Sequence, residues 1–215
     1  MIVSILLPYK ENYSPQYPGA VSLFVHATNK ISSFKNEITV FGNTDLKEKL
    51  SSNYINIPLD KSNLFKSQSK EYVNKFVNLQ LSLRADIIEI HNRPNYVNLI
   101  KKIKSKIVLY FHNDPISMVG SKKIFERINL LSICEKIIFN SEWSKKRFLK
   151  DLKNIYHKSL KLEVIHQSIN KQKIDIKKNI KLITFVGKLN SAKGYDLFGN
   201  AIIKILNQNS DWHAI

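Results

Sequence analysis

A single cysteine, Cys134, stands among 215 residues. No internal disulfide can form, which suits a reducing, cytoplasmic compartment. Cysteine and histidine nowhere take the spacing of a zinc site. Long apolar runs are missing too, for none approaches the roughly 18 residues of a membrane-spanning helix. The amino terminus, MIVSILLPYK, has no basic leader and too short an apolar run for a signal peptide, so it reads as a first strand. The fingerprint G-x-G-x-x-G is absent, which disfavours NAD or FAD. Arginine is scarce: Arg84, Arg93, Arg127 and Arg147 are the only four, so 30 of the 34 basic residues are lysine.

What the chain has in excess is positive charge, net +17. It is uneven: residues 1–100 carry 11 basic and 8 acidic side chains, residues 101–215 carry 23 and 9. A basic face can meet an anionic membrane surface, nucleic acid or phosphorylated substrates. A compositional bias towards Lys, Asn and Ile would give the same charge as a plain solvated exterior. Hydrophobic residues make up 43% of the chain, enough for a core and too many for disorder. The length allows one large domain or two small ones.

Short apolar runs alternate with helical periodicity along the chain. Ile2–Pro8 reads as a buried central strand. Pro15, Pro18 and Gly19 break a loop, and Ala20–Ile31 follows as a helix with Val21, Phe24, Val25 and Thr28 on one side. Gly19 thus sits at a helix start, where it either lets a ligand approach the backbone or simply turns the chain. Ile38–Phe41 and Tyr54–Ile57 are short strands, and residues 64–83 form a long helix with Phe65, Tyr72, Phe76, Leu79 and Leu83 as its core side. The strand Asp86–Ile90 runs into His91-Asn92-Arg93-Pro94, and the strand Lys106–Phe111 runs into His112-Asn113-Asp114-Pro115. If the strands are parallel, both clusters lie on one sheet edge and face one crevice, where open α/β sheets bind ligands. A helix over 122–132, a strand Lys136–Phe139, a basic helix from Trp143 to Leu152 capped by Ser141, and a strand Leu162–Ile165 complete this part.

The stretch Leu182–Asn200 repeats the theme. Leu182–Val186 reads as a strand ended by Gly187, and Gly194 opens a helix with Leu197, Ala201, Ile202 and Leu206 on one side. Lys188 and Lys193 lie between them, beside the free N–H groups of a helix start. They make a diphosphate cradle or are two solvated loop lysines. Residues 212–215 begin another strand. The alternation predicts a doubly wound parallel sheet with right-handed crossovers.

Several of these segments resemble GT-B glycosyltransferases of family 4 (glycosyl transferases group 1). Phe185-Val186-Gly187-Lys188-Leu189 through Lys193-Gly194-Tyr195-Asp196-Leu197 is similar to that family's F-V-G-R-L…K-G-x-D-L, the opening of its C-terminal domain. Lys188 replaces the usual arginine, keeping the charge and losing the bidentate fork. ADIIEIHNRP and IVLYFHNDP look like the family's cleft-lining strand ends, CEKIIFNSEWSKKRFL its next strand–helix unit, and Pro18-Gly19-Ala20 its N-terminal glycine loop. HQSIN resembles the exit segment but has Ser168 where glycine is usual.

The resemblance implies an α/β protein of GT-B type: a Rossmann-like acceptor-side domain over 1–170, a linker at 171–181, and the beginning of a nucleotide-sugar-binding domain at 182–215. The family's later E-x7-E element is missing, so a fragment of a longer protein is expected. The implied activity is retaining transfer of a sugar from a nucleotide donor to a saccharide or lipid-linked acceptor, in cell-envelope synthesis. Gly19, Lys188 and Lys193 would meet the donor diphosphate, His112 the transferred sugar, and His91, Asn92 and Arg93 the acceptor. With no Asp-x-Asp motif, a metal-independent reaction without cofactor is expected. Expected partners are the nucleotide-sugar, the acceptor and, peripherally, the inner face of the cytoplasmic membrane; no nucleic-acid motif is present. The alternatives are a non-catalytic Rossmann-like module binding polyanions and another GT-B enzyme such as a sugar epimerase.

Overall fold

The computed structural model describes residues 1–59, 67–157, 159–168 and 180–215. Two units divide the chain, Met1–Ser168 and Ile169–Ile215. The first contains β1 (Val3–Leu6), α1 (Ala20–Ile31), β2 (Ile38–Gly42), β3 (Tyr54–Asn56), α2 (Gln68–Leu83), β4 (Ile87–His91), α3 (Pro94–Ile100) and β5 (Lys106–Phe111). It continues with α4 (Ile124–Ile133), β6 (Lys136–Phe139), α5 (Glu142–Leu149), α6 (Asn154–His157) and β7 (Leu162–Val164).

Among the described residues these seven strands form one sheet in the order β3-β2-β1-β4-β5-β6-β7, every pair parallel. The order reverses between β1 and β4. That reversal is the topological switch point, and it opens a crevice at the carboxyl ends of the strands. The pairs Leu6↔Ile90, His91↔Tyr110 and Phe111↔Phe139 set which residues reach that edge together.

Alternation along each strand divides the apolar side chains between two layers. Leu6, Phe41, Ile88, Ile90, Leu109, Phe111 and Phe139 pack with Tyr72 and Phe76 of α2, Tyr96 of α3, Leu130 of α4 and Phe148 of α5. Val3, Ile5, Leu7, Ile38 and Val40 face the other way and pack with Val21 and Val25 of α1. Burial of this extent on both faces is what a parallel sheet needs.

Some helix faces differ from the periodic reading. α1 buries Val21, Ser22, Val25 and Asn29, and Thr28 turns outward to donate its hydroxyl to the carbonyls of Phe24 and Val25. α2 buries Tyr72, Val73, Phe76, Val77 and Gln80, leaving Leu79 and Leu83 exposed. That rotation places Gln80 inward, where its amide pairs with the Ser4 hydroxyl on the face of β1 that α2 covers. The expected start of that helix, with Phe65, lies outside the described residues, as does most of the expected linker.

The second unit holds β8 (Leu182–Ile183), α7 (Tyr195–Gln208) and β9 (His213–Ala214), with β8 and β9 paired in parallel. β8 is shorter than the expected five-residue strand. Its pairing ends at Ile183↔Ala214, and the Phe185 N–H adds one further bond to the Ile215 carbonyl. On α7 Ile202 is buried, whereas Leu197 and Ala201 are exposed.

Candidate functional site

Four strand ends meet through side-chain hydrogen bonds at the carboxyl edge of the large sheet. After β4 the chain passes through Asn92, whose backbone is left-handed at φ 51°, a conformation asparagine tolerates. The turn releases the strand into α3, with Pro94 in its first turn. The Asn92 side-chain oxygen accepts the backbone N–H of His112 at 2.8 Å. The His112 carbonyl accepts Asn140 Nδ2, beyond β6, at 2.8 Å, and the Asn140 carbonyl lies 3.2 Å from His166 Nδ1, beyond β7.

Within this frame the two predicted histidines touch. His91 Nδ1 lies 2.8 Å from His112 Nε2. The other His91 nitrogen, Nε2, lies 2.7 Å from Glu89 Oε1, off the line of a regular hydrogen bond. His112 Nδ1 meets the side-chain amide nitrogen of Gln167. Tyr110 stacks on both rings, with centroids 5.6 Å from His91 and 4.4 Å from His112, and its hydroxyl is anchored to the Ile165 carbonyl at 2.6 Å. Phe24 of α1 closes the cluster edge-on.

Burial pushes the His112 ring down to about 3, with His91 adding to the shift. The ring is therefore neutral near pH 7 and has one N–H and one lone pair. Burial also lifts the Tyr110 phenol to about 12, helped by the Glu89 charge. His91 has no exposed surface, so both of its nitrogens face protein groups only. Arg93 is half-buried, and its guanidinium donates to the Asn92 carbonyl at 2.8 Å.

Gly19 caps α1 without side-chain help of its own. The Glu11 carboxylate supplies that help, its Oε1 accepting the N–H groups of Val21 at 2.8 Å and Ser22 at 3.1 Å. A Cβ on Gly19 would collide with this carboxylate. The close approach that the glycine permits is thus taken up by a side chain of the chain itself.

Lys188 and Lys193 are both exposed on the connection between β8 and α7 in the second unit. Asn190 accepts the Lys193 N–H at 3.2 Å, and Gly194, at φ 74°, leads into α7.

Sequence reasoning missed Glu89, Tyr110, Phe24, Glu11 and Gln167. Glu89 and Tyr110 sit inside apolar runs, and only the alternation that puts Glu89 on the same strand face as His91 pointed to the first. Trp143 lies beneath the Arg147 guanidinium at 5.5 Å. Arg147 in turn forks onto Asp114, through Nε at 3.2 Å and Nη2 at 2.9 Å, and ties α5 to the loop after His112.

No family model matches the chain. A Bacillus subtilis (strain 168) protein provisionally named glycosyltransferase YtcC is 22% identical over 215 residues, spanning 90% of this chain and 50% of its own length. The chain therefore spans about half the length of that curated relative. Anabaena HepE, solved in complex with UDP-glucose, superposes with a TM-score of 0.64 at 13% identity, covering 95% of this chain and 58% of HepE. A Listeria monocytogenes protein provisionally named UDP-N-acetylglucosamine 2-epimerase superposes with a TM-score of 0.58 at 11% identity, covering 99% and 61%. The fold is α/β of the GT-B, Rossmann-like kind. Among the described residues no helix is long and apolar enough to cross a membrane.

Proposed function

We propose that this chain carries the acceptor-side domain and the opening of the donor-side domain of a retaining, family 4 type glycosyltransferase. It would move a sugar from a nucleotide donor to a saccharide or lipid-linked acceptor in cell-envelope synthesis. The observation that carries the reading is the meeting of His91 and His112 at the switch-point edge of a 3-2-1-4-5-6-7 sheet. The glycosyltransferase name of the Bacillus relative and the UDP-glucose bound to HepE support it.

In this reading the protein positions its reactants and stabilises charge. His112 holds the transferred sugar, with His91 behind it. Lys188 and Lys193 neutralise the departing diphosphate, without a metal. Gly19 lets the donor approach the start of α1 once Glu11 has moved aside. Arg93 and Asn92 border the acceptor. A cavity of about 410 Å³ that includes Tyr9, Lys10, Asn12, Tyr17 and Asn43 lies beyond the ends of β1 and β2 and suits a saccharide, with rings for its apolar face and amides for its hydroxyls.

The likeness to an epimerase favours one second reading, a nucleotide-sugar epimerase that needs no acceptor. Calorimetry with UDP-, GDP- and ADP-sugars, on this chain and on the longest form its reading frame encodes, tests both. Nucleotide-sugar binding followed by acceptor-dependent release of nucleoside diphosphate is expected. Epimer formation without acceptor would replace transfer by epimerisation. Binding of no nucleotide-sugar, together with salt-sensitive binding of anionic lipid or RNA, would replace both by a polyanion-binding module.

A further inference from the structure

Glu89, His91, His112 and Gln167 follow one another in contact from β4 to an exposed amide, the first contact being a short charge–ring approach off the line of a regular hydrogen bond. A carboxylate only accepts hydrogen bonds. With Glu89 Oε1 2.7 Å from His91 Nε2, a lone pair on that nitrogen would face negative charge, so the His91 proton belongs on Nε2. His91 Nδ1 is then an acceptor. The His112 nitrogen 2.8 Å away must supply the hydrogen, which puts the His112 proton on Nε2 as well. His112 Nδ1 is left with a lone pair, and the group that meets it is the donor nitrogen of the Gln167 amide. A second proton on His91 would force the His112 proton to Nδ1, against that amide NH2.

We propose that Glu89 and His91 are positioning residues that lock His112 in the Nε2–H tautomer. His112 Nδ1 thereby becomes a hydrogen-bond acceptor, which Gln167 covers and a ligand hydroxyl replaces. The packing keeps the rings from turning over: Tyr110 stacks on both, its hydroxyl is anchored to Ile165, and Phe24 closes the remaining side. An acceptor nitrogen takes an O–H donor and has nothing to offer a phosphate or carboxylate oxygen. The relay therefore selects a hydroxylated part of the ligand at this position. That ligand step rests on the reading that His112 meets a sugar; the tautomer does not.

The test is long-range nitrogen–proton NMR on the whole chain with ring-labelled histidine. There are six histidines, so His112→Asn assigns the signals. Near pH 7, His112 is expected as a single Nε2–H tautomer. Glu89→Gln, at a partly exposed position, is expected to turn this into a mixture of tautomers, and His91→Phe to do the same. A folded backbone spectrum accompanies each variant, and Glu89→Gln decides if the buried His91→Phe does not fold. An Nδ1–H or doubly protonated His112 in the unmodified chain overturns the proposal. So does a His112 tautomer unmoved by Glu89→Gln. Transfer assays report on the glycosyltransferase reading separately. Failed transfer with the tautomer in place leaves the relay standing, and transfer with the wrong tautomer removes the relay alone.

Discussion

The side-chain oxygen of Asn92 accepts the backbone N–H of His112 at 2.8 Å, joining the ends of two neighbouring parallel strands where the sheet ladder stops. One residue does two jobs there, because the Asn92 backbone also takes the left-handed conformation that turns β4 into α3. Replacing it separates the two. Asn92→Gly keeps the turn and loses the acceptor, at a cost of about 1–2 kcal/mol. Asn92→Ala loses the acceptor and also strains the turn, adding about 1 kcal/mol. Urea unfolding of the two variants should rank them in that order, and equal stabilities would deny the backbone its part.

The cap on α1 invites a double-mutant cycle. Glu11→Ala should cost about 1 kcal/mol, since its carboxylate serves two N–H groups at a helix start. Gly19→Ala should cost a similar amount, because a Cβ pushes that carboxylate away while the backbone, at φ −75°, is unstrained. If both act through one contact, the double variant loses less than the sum, by about 0.5 kcal/mol or more. Strictly additive melting-derived free energies would mean that the two are unconnected.

The buried histidine makes stability depend on pH. His112 is held down to about 3 when folded and has its ordinary value of 6.5 when unfolded. The unfolded chain therefore takes up the proton first, and protonation favours unfolding. The His112 contribution is complete above pH 6.5 and is lost progressively as pH falls from there towards 3. His112→Gln should flatten the decline in denaturant midpoint over that window relative to the unmodified chain. Parallel pH profiles would place the histidine in solvent.

Lys193 tests the proposed donor site. In a form of the protein that transfers sugar, Lys193→Ala should lower kcat/KM for the donor about tenfold or more, equivalent to about 1.4 kcal/mol or more of lost transition-state stabilisation. Lys193→Arg should recover part of it, since the charge is retained. Unchanged donor affinity and turnover in Lys193→Ala would remove the lysine from the diphosphate site.

How much of this was legible in the residues varies along the chain. α1 and β5 fall on Ala20–Ile31 and Lys106–Phe111, the bounds read from helical period and apolar run. Ser141 caps α5 as expected, its hydroxyl accepting the Ser144 N–H. The apolar run Leu182–Val186 suits a strand of five residues, yet β8 has two, because strand length depends on what pairs with it. Leu79 and Leu83 fit a helical stripe, but α2 sits with Gln80 inward against Ser4 and these two leucines outward.

The candidate site divides in the same way. The repeated ending His-Asn after two successive strand runs marked His91, Asn92 and His112 from local order alone, since parallel strands must end on one edge. Local order also placed Lys188 and Lys193 on one loop. Contacts between residues far apart in the chain were beyond its reach. The register His91↔Tyr110 aligned the strand ends so that the two imidazoles could meet. Strand alternation aimed Glu89 at the back of His91, and the turn after β7 brought Gln167 to its front partner, His112. Periodicity reports which faces are apolar and where elements stop. Which polar atoms face each other across those elements is set by register and helix rotation, which only the packed sheet decides.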